Sequence, residues 1–321
     1  MCKKVFSASV LLIASIITVG CADSEKLEQA RSFSKLTEDF KEKSSTISSD
    51  MYYSCLRRTG YFQIDSPELQ SERNQALEIC ELIYKPAWER AEASTSVLTA
   101  YMISLGRVAG FNFDSTQDLN RIKTVLSLPE NAIFGLNENT VEAGFGIIGF
   151  LLNTSVRRMQ VEGLTQPIVC TNDYIQDYTR GLSQAFQVGY IDGVLVEELS
   201  RAREYYSVRA LTMREAESSN PLDFQVLEER LAEATQDIAS RKISGENYTK
   251  MLETIARRHN QLAGTFRAES GTINCLEALK ENQVPQDNIQ KIDEAVTQQI
   301  LGDYQKEMRH FSIEFDSNWP E

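Results

Sequence analysis

Apolar residues along most of this chain recur every three or four positions, a spacing that predicts a succession of long helices, and no window alternates with the period of a strand. Leu27, Phe33, Leu36, Phe40, Ile47 and Met51 fall near heptad spacing through an otherwise polar stretch, so residues 22–50 read as either a tether or a helix. That pattern runs on through Cys55 and stops at Gly60, a suitable left-handed cap. Ser66-Pro67 opens the next helix, followed to Gly110 through Ile79, Cys80, Ile83, Trp88, Ala91, Leu98, Met102 and Leu105, with a kink expected at Pro86. A shorter helix ends before Pro129, and another covers about Asn139 to Glu162.

Thr165 and Pro167 open the longest predicted helix, traced through Ile175, Tyr178, Leu182, Phe186, Ile191, Val194 and Ala202 to about Glu217, with Gly181, Gly189 and Gly193 as candidate bends. Asn220-Pro221 starts a further helix expected to end near Ser244-Gly245. A neighbour carries Met251, Leu252, Ile255, Leu262 and Phe266 to Gly271. A short helix around Ile273 to Leu279 and one from Pro285 to about Phe311 complete the chain. The fold class that follows is all-α, an antiparallel bundle of about eight helices, several of them long.

The first residues follow a different pattern. Lys3 and Lys4 precede an uncharged apolar run from Val5 to Gly20, which is short of the roughly 20 residues that a spanning helix needs and reads as a signal-peptide core. Its end, Thr18-Val19-Gly20-Cys21, resembles the lipobox of bacterial lipoproteins. The resemblance covers only this leader. It implies cleavage before Cys21 and acylation of that cysteine, and Ala22 stands where the inner-membrane retention signal would be aspartate, which favours an outer membrane in a host with two. Residues 1–20 are then the signal peptide, 21–50 the anchored tether or helix and 51–321 the bundle, with residue 165 as the place where two subdomains would part.

Charge and cysteine usage agree with an exported protein. The net charge is −13, and it becomes more acidic once Lys3 and Lys4 leave, which argues against nucleic acid and against electrostatic adhesion to anionic lipid. With 42% apolar residues the chain is globular. Beyond Cys2 and Cys21 there remain Cys55, Cys80, Cys170 and Cys275, an even set that suggests disulfides. The expected pairs are Cys55–Cys80, which can face each other across one helical hairpin, and Cys170–Cys275. Zinc would need close pairs such as C-x-x-C, which the sequence lacks.

Motifs that suggest chemistry are incomplete. Gly144-Phe145-Gly146-Ile147-Ile148-Gly149 spells G-x-G-x-x-G, but a dinucleotide site requires a strand before the glycines, and Asn137 to Ala143 is no strand. The small residues read as a close helix contact, and no cofactor is expected. Glu307 and His310 have the Glu-x-x-His spacing of di-iron bundles without a second copy, since Ala256 stands three residues before His259. Leu262 also stands where the His-x-x-Glu of helical iron-regulated periplasmic proteins would place glutamate, so both histidines read as structural. Ser32 to Lys35 matches S-x-x-K without a companion motif, and no G-x-S-x-G elbow exists.

Glu197-Glu198 and Glu228-Glu229 point about 100° apart on a helix and read as a solvated face. Tyr52-Tyr53 and Tyr205-Tyr206 are amphipathic anchors suited to a partner groove or to helix seams. The expected function is a non-enzymatic, lipid-anchored envelope protein that presents a helical surface to a protein partner. The rival is a binder of a small molecule or metal in a pocket between helices, with Glu307 and His310 as its polar lining.

Overall fold

A computed structural model describes residues 26–62, 69–108, 134–154, 162–215, 220–268 and Cys275. The leader with Cys21, the Ser66-Pro67 helix start, the helix before Pro129, the helix around Ile273 to Leu279, and the last helix with Glu307 and His310 lie outside the described residues. The described residues are almost all helical, with no strand among them, and five rods carry them.

The first rod is α1, Leu36–Arg58, preceded by a helical segment at 26–34. The Lys35 N–H bonds the Arg31 carbonyl at 3.0 Å and carries the chain from one segment into the other. This stretch is therefore helix, not tether, and Phe33, Phe40, Ile47 and Met51 are its buried stripe. Its hydroxyl-rich run stays helical because Thr37, Ser44 and Thr46 each donate back to a carbonyl three or four residues earlier. Gly60 is not a left-handed cap. Thr59 remains in the right-handed region, and the chain leaves through a 3-10 turn at Thr59–Tyr61 into extended Phe62.

The second rod joins α2, Leu69–Ile79, to α3, Lys85–Val108, through a π-helical turn at Cys80–Tyr84. That turn accommodates Pro86. The proline lacks an N–H and clashes with the preceding turn, and the wider loop, closed by Lys85 N–H to the Cys80 carbonyl, takes up the misfit. The third rod is α4, Glu138–Thr154, where Asn137 accepts from the Thr140 N–H at 2.8 Å and the Thr140 hydroxyl at 2.7 Å.

The fourth rod runs from α5, Glu162–Ala185, through a π-helical segment at Phe186–Val194 into α6, Leu195–Glu215. Two of the three expected bends, Gly189 and Gly193, fall inside that segment. The fifth is α7, Pro221–Arg267, a single helix of 47 residues whose Asn220 cap accepts from the Leu222 N–H at 3.1 Å. The break expected at Ser244-Gly245 does not occur. Gly245 is used for close approach instead, since a Cβ there would lie 2.9 Å from Ile191 Cγ1.

Contacts give the directions. His259 meets Asn172, Gly245 meets Ile191 and Arg241 meets Glu198, so α7 runs antiparallel to the α5–α6 rod. Tyr178 reaches Ser94 and Tyr101 reaches Thr171, so α3 is also antiparallel to α5. The core lies where Phe40 stacks on Tyr248 at 5.6 Å and Phe186 meets Tyr248 edge-on at 4.7 Å. Phe40 and Phe186 each contribute about 1.5–3 kcal/mol by leaving water, while the Tyr248 hydroxyl is buried between them without a hydrogen-bond partner among the described residues. The bundle is the expected fold.

Candidate functional site

Exposed apolar surface concentrates where α1 ends. The 3-10 turn brings Tyr61 to 6.0 Å from the Tyr205 ring and 6.2 Å from the Tyr206 ring of α6. Beside them opens a groove of about 390 Å³. Glu72, Ala76 and Ile79 of α2 line one side, Arg201, Glu204 and Tyr205 of α6 line the other, and Tyr61 and Phe62 lie between. Ile79 is 47% exposed, and Leu77, Leu82 and Ile83 are exposed along the same rod. Ile79 is the one of these that lines the groove, where an exposed apolar side chain beside aromatic rings marks an interaction site more strongly than one scattered singly.

α2 has no buried residue of its own, so packing alone does not hold this wall. The Cys55–Cys80 disulfide does, joining the end of α1 to the π turn with Cα atoms 5.6 Å apart. The other pair, Cys170 and Cys275, is bonded with Cα atoms 5.3 Å apart. Both pairings are the expected ones.

A charge cluster centres on Glu198, about one helical turn before the lining residue Arg201 on α6. Glu198, with only 1% of its side chain exposed, takes Arg241 on both carboxylate oxygens at 2.8 Å, Arg57 Nε at 3.0 Å and the Ser54 hydroxyl. Asp50 accepts from Arg57 at 2.5 Å, Arg241 at 3.0 Å and the Tyr190 hydroxyl at 2.7 Å. Burial alone would raise the Asp50 carboxyl, but the Tyr190 hydroxyl and the two guanidiniums outweigh it and hold the group below its ordinary value. Tyr190 is pushed up by burial and by Asp50, and Arg241 is held charged by its two carboxylates against its own burial. Beside the cluster, Arg58 pairs with Glu197 and lies 4.6 Å from the centre of the Tyr84 ring, whose hydroxyl reaches Glu197 at 3.1 Å. One π-helical segment thus supplies Tyr84 to the Arg58–Glu197 pair, and the other supplies Tyr190 to the Asp50 cluster.

Tyr52 and Tyr53 do not join the groove. Tyr52 lies nearly parallel to Trp88 with ring centres 5.9 Å apart, and its hydroxyl donates to Glu81, which also binds Lys85 at 2.9 Å. The other tyrosine pair, Tyr205-Tyr206, lies at the groove.

Glu198 is the residue that sequence reasoning misplaced. It was expected on a solvated face, and it is buried at the hub of the cluster, while Glu228 and Glu229 are exposed. The signal was its register, since Leu195, Glu198 and Ala202 are the three buried positions of α6 and the carboxylate stands in an apolar stripe.

His259 is fully buried. Its Nδ1–H donates to Asn172 Oδ1 at 3.1 Å, and Nε2 accepts from the Tyr101 hydroxyl at 2.6 Å, which is 2.8 Å from the Thr171 hydroxyl. Burial pushes the imidazole down to about 3, so it stays neutral in this closed network. The glycine motif lies inside α4, where a Cβ on Gly146 would lie 2.9 Å from the Tyr174 ring. Among the described residues no three His, Cys, Asp or Glu side chains are grouped to hold a metal ion, and no helix is long and apolar enough to cross a membrane.

No protein-family model, no curated protein and no solved structure matches the chain.

Proposed function

We propose that the protein is a lipoprotein of the bacterial cell envelope, anchored by acylated Cys21 in the outer membrane where the host has two, and that it acts without catalysis by presenting helical surface to a protein partner. The lipobox-like Thr18 to Cys21 supports the anchor, and acyl chains contribute about 0.8 kcal/mol per buried methylene. The observation that carries the partner reading is the groove between α2 and α6. Its floor is aromatic, its α2 wall sets exposed Ile79 and Ala76 beside Glu72 and Gln75, and a disulfide ties the end of that wall to α1.

Helix runs from residue 26 to Arg58 with a single turn at Lys35 and continues into the 3-10 turn at Tyr61. At 1.5 Å per residue this run puts the start of the 3-10 turn about 50 Å from residue 26, which follows Cys21 closely in the chain. Such a rod holds a binding surface clear of the membrane to which its other end is tied.

The test has two arms. The Cys21→Ser protein is fractionated, with release from the membrane as the expected result and unchanged membrane fractionation as the result against the anchor. The purified mature chain and its Tyr205→Ala variant are used as baits on envelope extract, and a partner that only the wild type retains is the expected result. Equal retention by both baits, or none by either, removes the partner reading.

A further inference from the structure

From the geometry of the groove we infer that its occupant is an amphipathic helix of another protein, with aliphatic or aromatic anchors on one face and lysine or arginine beside them. This deepens the partner reading above and rests on it.

The walls favour a helix. α2 is antiparallel to α1, because Cys80 and Glu81 meet Cys55 and Tyr52, whereas α6 is parallel to α1, because Tyr190 and Glu198 meet Asp50 and Ser54. The groove is thus a trench between two antiparallel helices, closed below by Tyr61 and Phe62. On the α2 side Glu72, Gln75, Ala76 and Ile79 stand at i, i+3, i+4 and i+7, a mixed stripe about 10 Å long with its apolar end at Ile79. A helix laid along it meets that stripe with its own residues at i, i+3 or i+4, and i+7, as amphipathic helices do in apolar grooves.

The charges select the partner. Arg201 is already engaged by Glu204 at 3.3 Å, which leaves Glu72 as the lining charge. The chain as a whole carries a net −13, so a second copy brings the wrong sign to this trench and a basic segment the right one. The apolar floor supplies the anchors' burial, and Glu72 fixes the register at one end.

The experiment selects from a display library of helix-stabilised peptides about four turns long on the full mature chain. Recovered peptides are titrated by fluorescence anisotropy against wild type, Ile79→Asp, Glu72→Lys and Tyr205→Ala. Ile79 and Glu72 are not buried and α2 has no core residue, so the variants retain the fold, and thermal melts verify it. The expected peptides carry apolar residues at i, i+3 or i+4, and i+7 with Lys or Arg beside them, and lose about tenfold or more in affinity on Ile79→Asp and Glu72→Lys. Acidic or patternless peptides, equal binding to all variants, or no enrichment overturn the inference. So does a concentration-dependent dimer that Ile79→Asp abolishes, because the occupant is then a second copy. Competition separates the two readings. If the wild-type bait retains an envelope protein that the peptides do not displace, the partner reading stands and this one fails, whereas an empty bait removes the partner reading itself.

Discussion

Arg241 of α7 reaches across the bundle and clasps Glu198 of α6 with two nitrogens at 2.8 Å, the two charges meeting where only 1% of the glutamate side chain is exposed. A pair this deep gives little net stability relative to apolar side chains of the same size, because desolvation offsets the attraction. Breaking one half leaves the other stranded. Here Asp50 still pairs with both Arg57 and Arg241, so Glu198→Ala should destabilise the protein by about 1–3 kcal/mol. Replacing Glu198 and Arg241 together by leucine and methionine should cost much less than the sum of the single changes. Urea melts read the Glu198→Ala loss, those of Glu198→Leu, Arg241→Met and the double variant close the cycle, and additive losses would show that the pair is not coupled.

His259 makes stability depend on pH. Its pKa is near 6.5 in the unfolded chain and is pushed down to about 3 in the fold, so between those values the unfolded state binds the extra proton. Stability is complete above pH 6.5 and is lost as pH falls below it, by up to about 1.4 kcal/mol per pH unit down to about 3. The polar groups facing the ring, Tyr101 and Asn172, carry no charge at these pH values, with Phe33 edge-on beside them, so nothing holds the imidazolium in place. Asp50, whose carboxyl is held below its ordinary value, adds a further loss only at more acid pH. Urea midpoints from pH 7.5 to 4.5 should fall in the wild type and stay nearly level in His259→Gln. An equal slope in both would assign the effect elsewhere.

Two glycines should respond to alanine in opposite directions. At Gly181 a Cβ would fall 1.8 Å from Thr140 Oγ1, and Thr140 cannot swing aside without giving up its hydrogen bond to the Asn137 cap. Gly181→Ala should therefore cost about 1–3 kcal/mol as α4 and α5 are forced apart. Gly264 lies in α7 with nothing within 4 Å of a new Cβ, and Gly264→Ala should stabilise by roughly 0.5–1 kcal/mol through helix propensity. Thermal melts of the two variants test the helix spacing directly, and shifts of the same sign would contradict it.

The same positions show how much the sequence could tell. Asn220-Pro221 announced the start of α7 because a cap is local chemistry, but the expected stop at Gly245 failed because that glycine answers to Ile191 on another rod. The apolar stripe of α1 was readable, while the choice between tether and helix was not, since serine back-bonding and burial of Phe33 and Phe40 only count once neighbouring rods are present. At the candidate site Tyr205-Tyr206 was marked in advance, but Tyr61, Phe62 and Ile79 were not. They come from different elements and meet only because a disulfide and a 3-10 turn bring them together. Glu198 was misread because two adjacent glutamates look solvated until the register of Leu195 and Ala202 is given weight.

The Cys55–Cys80 bond should control the groove more than it controls the bundle. α2 contributes no buried residue, and just past its C-terminal end the disulfide and the Tyr52–Glu81 hydrogen bond tie the π turn to α1, whereas α5 and α7 carry long buried stripes of their own. Closing a loop across a sequence separation of 25 stabilises by about 3.5 kcal/mol in the chain-entropy account. Mass spectrometry without reductant should first recover the 55–80 and 170–275 linkages. Hydrogen exchange on Cys55→Ala/Cys80→Ala should then show protection lost across residues 69–79 while α5 and α7 keep theirs, and binding to any partner held at the groove should fall with it. Unchanged exchange in α2 would mean that packing holds this wall after all, and loss of protection throughout α5 and α7 would mean that the bond supports the whole fold.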